Sequence, residues 1–159
     1  MRSSRPSIQM AIQPAIQPAI HPVRVLLLQT NVVASLHLRL AIDMAAIPSE
    51  VSVMESSPEG VSELCLSVRG GAVPPDVVVV ECDPREEASR RVLTSIAKAP
   101  ELSSATLVVI GDGDEAEEPA QALTLGAHAF IAKPERASEL ARIGREFARV
   151  FDATQSMAG

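Results

Sequence analysis

Apolar residues follow two rhythms along this chain. Short unbroken runs, Val25-Leu26-Leu27-Leu28, Val77-Val78-Val79-Val80 and Leu107-Val108-Val109-Ile110, alternate with longer stretches in which apolar residues recur every third or fourth position. A short continuous run bounded by turn residues reads as a strand covered on both faces, and the longer recurrence reads as the buried stripe of a helix. The first strand runs into a polar turn, Gln29-Thr30-Asn31, and the helix after it is expected to bury Val33, Leu36, Leu40, Met44 and Ile47. Val51 and Val53 alternate with polar neighbours as in an edge strand. Val61, Leu64, Cys65 and Val68 then repeat at helical spacing up to a Gly70-Gly71 stop. Pro75-Asp76 introduces the valine run, the most strand-like segment, which ends on Glu81-Cys82-Asp83-Pro84. A third helix is expected over 86–99 and a fourth strand over 107–110. A fourth helix starts near Pro119, a residue suited to a first turn. A fifth strand spans 127–132, and the last helix carries the stripe Leu140, Ile143, Phe147 and Val150.

Five strand–helix units in this length predict an α/β fold, a doubly wound (βα)5 flavodoxin-like domain with a parallel five-stranded sheet of order 2-1-3-4-5. In such a sheet the functional loops gather at the carboxyl ends of the strands. The domain is expected over residues 23–152, with a flexible tail at 153–159. Residues 1–22 differ in kind. From Ala11 to Pro22 the chain reads Ala-Ile-Gln-Pro, Ala-Ile-Gln-Pro, Ala-Ile-His-Pro. A proline at every fourth position removes helix donors, so this segment is expected to be an extended, disordered Pro-rich arm, with a docking peptide as its functional alternative.

Composition narrows the function classes. A formal charge of -6 and a pI near 5.1, with no clustered Lys and Arg, argue against a nucleic-acid footprint. There is no Trp or Tyr and only three Phe, so stacking platforms for bases are missing too. Cys65 and Cys82 lack the close spacing of metal or redox pairs and are read as buried free thiols. No apolar run approaches the ~18 residues of a membrane span, and a cytoplasmic location is expected. His21, His37 and His128 share no metal-ligand spacing, no Ser or Cys stands in a nucleophile motif, and the first strand is not followed by a glycine-rich phosphate loop. The run Asp112-Gly113-Asp114-Glu115, with Glu117 and Glu118, lacks the spacing of a calcium loop and is read as a solvated acidic loop before a helix. No enzyme activity, metal or cofactor is expected.

Pro75-Asp76 before the valine run, Ala99-Pro100-Glu101-Leu102 before the fourth strand, and Ala127-His128-Ala129-Phe130-Ile131-Ala132-Lys133-Pro134 on the fifth together resemble bacterial response-regulator receiver domains. The resemblance runs from Val23 to about Phe151. In that family the phosphorylation site is a carboxylate cluster at the ends of strands one and three, with a hydroxyl after strand four and a lysine after strand five. Matched by strand ends, the acidic pair falls on Gln29 and Thr30, the phosphoacceptor aspartate on Glu81, the hydroxyl on Gly111, the switch aromatic on Phe130 and the lysine on Lys133. Only the last two are kept.

The resemblance therefore implies a degenerate site. Gln29 and Thr30 bring dipoles but no negative charge to a Mg²⁺ ion, and without the cation the charge on a transferring phosphoryl group stays unneutralised. Glu81 carries its carboxylate one methylene too far for geometry built around aspartate. Asp83, beside Pro84, is read as a turn residue rather than a substitute acceptor. The expectation is a phosphorylation-independent pseudo-receiver that binds a protein partner. Two alternatives are a phosphorylatable receiver using Glu81 or Asp83, and a small-ligand domain using a pocket widened by Gly111. Arg136, Arg142, Arg145 and Arg149 give the last helix a basic face, opposite in sign to the acidic loop. A homodimer through that helix and the fifth strand would follow from this complementarity.

Overall fold

The computed structural model describes residues 21–113 and 116–158, so the Pro-rich arm expected at 1–22 lies outside the described residues except for His21 and Pro22, as do Asp114 and Glu115 of the acidic loop. The strands are β1 (Val23–Gln29), β2 (Ser49–Glu55), β3 (Val77–Glu81), β4 (Thr106–Gly111) and β5 (Ala129–Ala132). The helices are α1 (Val32–Asp43), α2 (Pro58–Arg69), α3 (Glu87–Lys98), α4 (Glu117–Thr124) and α5 (Leu140–Ala158). All strand pairs are parallel in one sheet of order β2-β1-β3-β4-β5, the expected flavodoxin-like topology. β3 and β4 are buried along their length because helices cover both sheet faces, which is why they read as unbroken apolar runs.

Alternation along each strand splits the core in two. Val25, Leu27, Val77, Val79, Val108 and Ile110 point to the face covered by α1 and α5, where Ile143, Phe147 and Phe151 are fully buried. The Phe147 and Phe151 rings stack with centroids 5.8 Å apart. Leu26, Leu28, Val78, Val80, Leu107 and Val109 point to the other face, against Val61 and Cys65 of α2, Val92, Leu93 and Ile96 of α3, and Ala122 of α4.

The first helix faces the opposite way from the periodicity reading. Val33, Leu36, Leu40 and Met44 are each more than half exposed, while Leu38, Ala41, Ile42 and Ala45 face the sheet. Two apolar stripes at helical spacing share α1, and the smaller one was chosen by packing. α1 runs close against α5, where a Cβ on Gly144 would stand 3.0 Å from the Ala41 carbonyl oxygen and 3.1 Å from Met44 Cβ. Small residues at Ala41 and Gly144 permit that approach, and a leucine stripe in the same place would hold the helices apart. Ile47 lies beyond the helix and packs at the core margin.

Three boundaries also shift. α5 continues helical through Ala158, where a flexible tail was expected from 153, and Thr154 Oγ1 bonds Thr106 Oγ1 of β4 at 3.0 Å. β5 is shorter than expected: Ala127 N–H closes α4 by donating to Ala122 O, and His128 N–H donates to Leu107 O before the ladder proper begins. α4 starts at Glu117, two residues ahead of Pro119.

Candidate functional site

Register carries the site residues to one edge. Leu28 pairs with Val80, Glu81 with Ile110, and Gly111 with Ala132, so Gln29, Glu81, Gly111 and Lys133 all stand at the carboxyl ends of neighbouring strands. Thr30, Asn31, Glu81, Cys82, Asp83, Glu86, Asp112 and Lys133 line a polar cleft of about 470 Å³ there. The sequence-matched positions are thus brought together, and Phe130 and Gly111 lie just behind them.

Lys133 is held by both backbone and side chain. Its N–H donates to Gly111 O at 2.7 Å, and its Nζ lies 3.2 Å from Glu81 Oε2 and 3.6 Å from Asp112 Oδ1. Partial burial pulls the ammonium pKa down, but the facing Glu81 and then Asp112 outweigh that, so it is held above its ordinary value. Asp83 is engaged as a turn residue. Its carboxylate accepts from Arg85 N–H at 2.9 Å and from the Arg85 guanidinium at 2.9 and 3.0 Å. Those bonds hold its pKa below the usual carboxylate range. Asn31 Oδ1 accepts from Val33 N–H at 2.9 Å, which caps α1.

A divalent cation does not fit this donor set. Glu81 and Asp112 share Lys133, and Asp83 shares Arg85 with Glu118, so these carboxylates are turned toward the protein's own cations. Gln29 and Thr30 supply neutral oxygens at the end of β1, and Gln29 Oε1 is buried without a hydrogen-bond partner. Among the described residues, no cluster of three or more His, Cys, Asp and Glu side chains is arranged to hold a metal.

Gly111 does not open a ligand pocket. A Cβ there would stand 2.8 Å from Glu118 Oε1 and 2.9 Å from the Phe130 ring, so those two side chains already fill the space that a larger residue would take. Phe130 is packed inward, against the α4 side of the core. Glu118 corrects the solvated-loop reading, because it is only 1% exposed. Its Oε1 accepts from Gly113 N–H at 2.6 Å, and Arg85 Nη2 approaches its Oε2 at 3.5 Å, close enough for charge pairing but not directed as a hydrogen bond. Gly113 has φ 74, the left-handed region that glycine enters without strain, and this turns its N–H back toward α4. Sequence reasoning missed Glu118 because an acidic residue in the first turn of a helix looks like a dipole partner in water. The signal that could have found it is the pair of glycines at 111 and 113, which leave room for a side chain to fold in.

Arg145 and Arg149 are exposed on α5, Arg142 pairs with Glu146 at 3.0 Å, and Arg136 precedes the helix rather than lying on it. Cys82 follows β3 and is half buried. Burial above all pushes its thiol up to about 12; a hydrogen bond with Ser89 opposes this, and the neighbouring Asp83, Glu118 and Glu86 add smaller upward effects. Burial also raises Cys65. Neither thiol is therefore a thiolate near neutrality. In the native chain at pH 8, iodoacetamide is expected to label neither cysteine, and both are expected to react once denaturant is added. Intact mass measures this, and native labelling of Cys82 would show that the site opens to solvent.

No family model matches the chain, and no curated protein matches its sequence. Solved structures do. A phosphorylated cyanobacterial phytochrome response regulator, RcpA, superposes with a TM-score of 0.65 at 19% identity, over 84% of this chain and 96% of that one. A response regulator of red-light signalling from R. palustris gives 0.64 at 18%, over 80% and 91%. An orphan response regulator from H. pylori gives 0.54 at 23%, over 83% and 95%. With the strand order and register above, these likenesses show that the chain is built on the fold of response-regulator receiver domains.

Proposed function

We infer that this chain is a phosphorylation-independent pseudo-receiver, a protein-interaction module in bacterial signalling or regulation that acts without enzymatic turnover. The observation that carries the reading is the charge arrangement at the carboxyl edge. Glu81, Asp83 and Asp112 already face Lys133 or Arg85, and Gln29 and Thr30 at the end of β1 bring no negative charge with which to hold a cation. Phosphoryl transfer requires positive charge directed at the incoming group, and here that charge is spent on the protein's own acids. The inward ring of Phe130 supports a fixed conformation as well. The ring lies over Gly111 and packs against the apolar core, a position that needs no hydroxyl drawn toward a phosphate.

Output then passes through a bound protein. The exposed Arg145 and Arg149 of α5, with Arg136 and Arg142 nearby, give a basic docking face beside β5, suited to an acidic surface on a partner or on a second copy of the chain. The deciding experiment is incubation of the full chain with acetyl phosphate and Mg²⁺, read by intact mass. No phosphoryl adduct is expected. A stoichiometric adduct would overturn the reading, and its mapping to Glu81 or Asp83 would make the chain an atypical phosphorylatable receiver.

A further inference from the structure

The apolar stripe left outside on α1 has no partner among the described residues. Val33, Leu36, Leu40 and Met44 are 64, 55, 51 and 52% exposed, and Val32 extends the stripe at 65%. Single exposed apolar residues are ordinary on a protein surface, but a row of large ones along one helix face marks an interaction site. The stripe is about 16 Å long from Val33 to Met44 at helical rise.

Its lower end lies beside the point where residues 1–20 enter the domain. Val23 N–H donates to Pro48 O at 2.9 Å, and Val23 pairs with Ser49, so the chain arriving through His21 and Pro22 comes in alongside the connection that leaves Met44. The chemistry of that segment suits the stripe. Isoleucine recurs at 8, 12, 16 and 20, and there is no Asp, Glu, Lys or Arg between Arg5 and Arg24. Prolines at 14, 18 and 22 favour an extended path of about 3 Å per residue, so the ten residues Ala11–Ile20 could span the whole stripe with length to spare. An extended segment with few rotatable states also loses less entropy when it docks.

We propose that the isoleucine–proline segment of residues 8–20 docks along the exposed face of α1 and covers Val33, Leu36, Leu40 and Met44. Tethering makes this occupant stronger than a second molecule, because a short linker supplies an effective concentration in the millimolar range. So docked, the segment covers α1 through apolar contacts that need none of the residues at the carboxyl edge.

The test places a benzophenone amino acid at Ile16 of the full chain at low protein concentration, followed by irradiation and peptide mapping. Cross-links within one molecule to residues 32–44 are expected. In the full chain carrying Leu36→Asp and Leu40→Asp, the yield is expected to fall about tenfold, with an unchanged circular dichroism spectrum because both side chains are already exposed. No cross-link to α1, or a yield unaffected by the two aspartates, would overturn the proposal. Cross-links found only between two molecules would also overturn it and assign the stripe to a second copy.

Discussion

Threonine at position 111 is expected to destabilise the fold by about 1–3 kcal/mol and to restore no phosphoryl chemistry. By the strand-end match to receiver domains, residue 111 falls where that family carries a hydroxyl, so Gly111→Thr looks like a repair. The packing opposes it. The backbone at Gly111 is ordinary strand, so the difficulty is one of space: a Cβ alone would sit 2.8 Å from Glu118 Oε1 and 2.9 Å from the Phe130 ring. Glu118 cannot easily withdraw, because it is 1% exposed and bonded to Gly113 N–H. Phe130 is less buried and is the side chain that would be displaced outward. Urea denaturation of Gly111→Thr, Glu118→Ala and the double variant measures the conflict. Because the two sites touch, the double variant is expected to be more stable than the sum of the singles, by about 0.5–3 kcal/mol. Strict additivity would show that Gly111 is not shaped by Glu118. Acetyl phosphate should leave the threonine variant unmodified, since Gln29 and Thr30 still provide no charge for a cation.

How legible this molecule is in its sequence depends on which atoms decide each feature. The valine-rich strands and the helix stripes of α2 and α5 follow from hydrophobic periodicity, and the strand order from the doubly wound plan that five strand–helix units suit. The positions Gln29, Glu81, Gly111 and Lys133 were also legible, because strand ends in a parallel sheet fall at one edge whatever the side chains are. What could not be read was any choice between two acceptable local answers. α1 offers two apolar stripes, and the decision belongs to Gly144 on a helix more than a hundred residues later in the chain. Glu118 is the same kind of case. Its burial depends on two glycines and on Arg85, which reaches it from the loop after β3, and a carboxylate in the first turn of a helix gives no local sign of that. Hydrophobic periodicity finds the sides of an element, and only tertiary packing selects the inner one.

Lys133→Ala is expected to cost more stability than Glu81→Ala, by an amount that separates a held pair from an incidental one. The Glu81 side chain is 9% exposed and that of Lys133 is 38% exposed. Removing the lysine leaves a nearly buried carboxylate facing no cation at 3.2 Å, and stranding such a group costs about 1–3 kcal/mol. Removing the glutamate leaves an ammonium that still has Asp112 at 3.6 Å and can reach water, so the expected loss is smaller. Glu81→Gln in the Lys133→Ala chain should recover part of the loss, since the stranded charge is gone. The pH dependence gives an independent reading. Lys133 has its pKa raised in the folded state, so its stabilising effect is complete below the unfolded lysine value of about 10.4 and is lost as pH rises through the higher folded value. Cys82, raised from 9.0 to about 12, loses stability in an overlapping alkaline window by the same sign, so the comparison belongs in a Cys82→Ala background. There, thermal unfolding should fall more gently above pH 10 in Lys133→Ala than in the parent. If both single variants unfold like the parent, the Glu81–Lys133 pair is incidental and contributes nothing to holding this edge of the sheet.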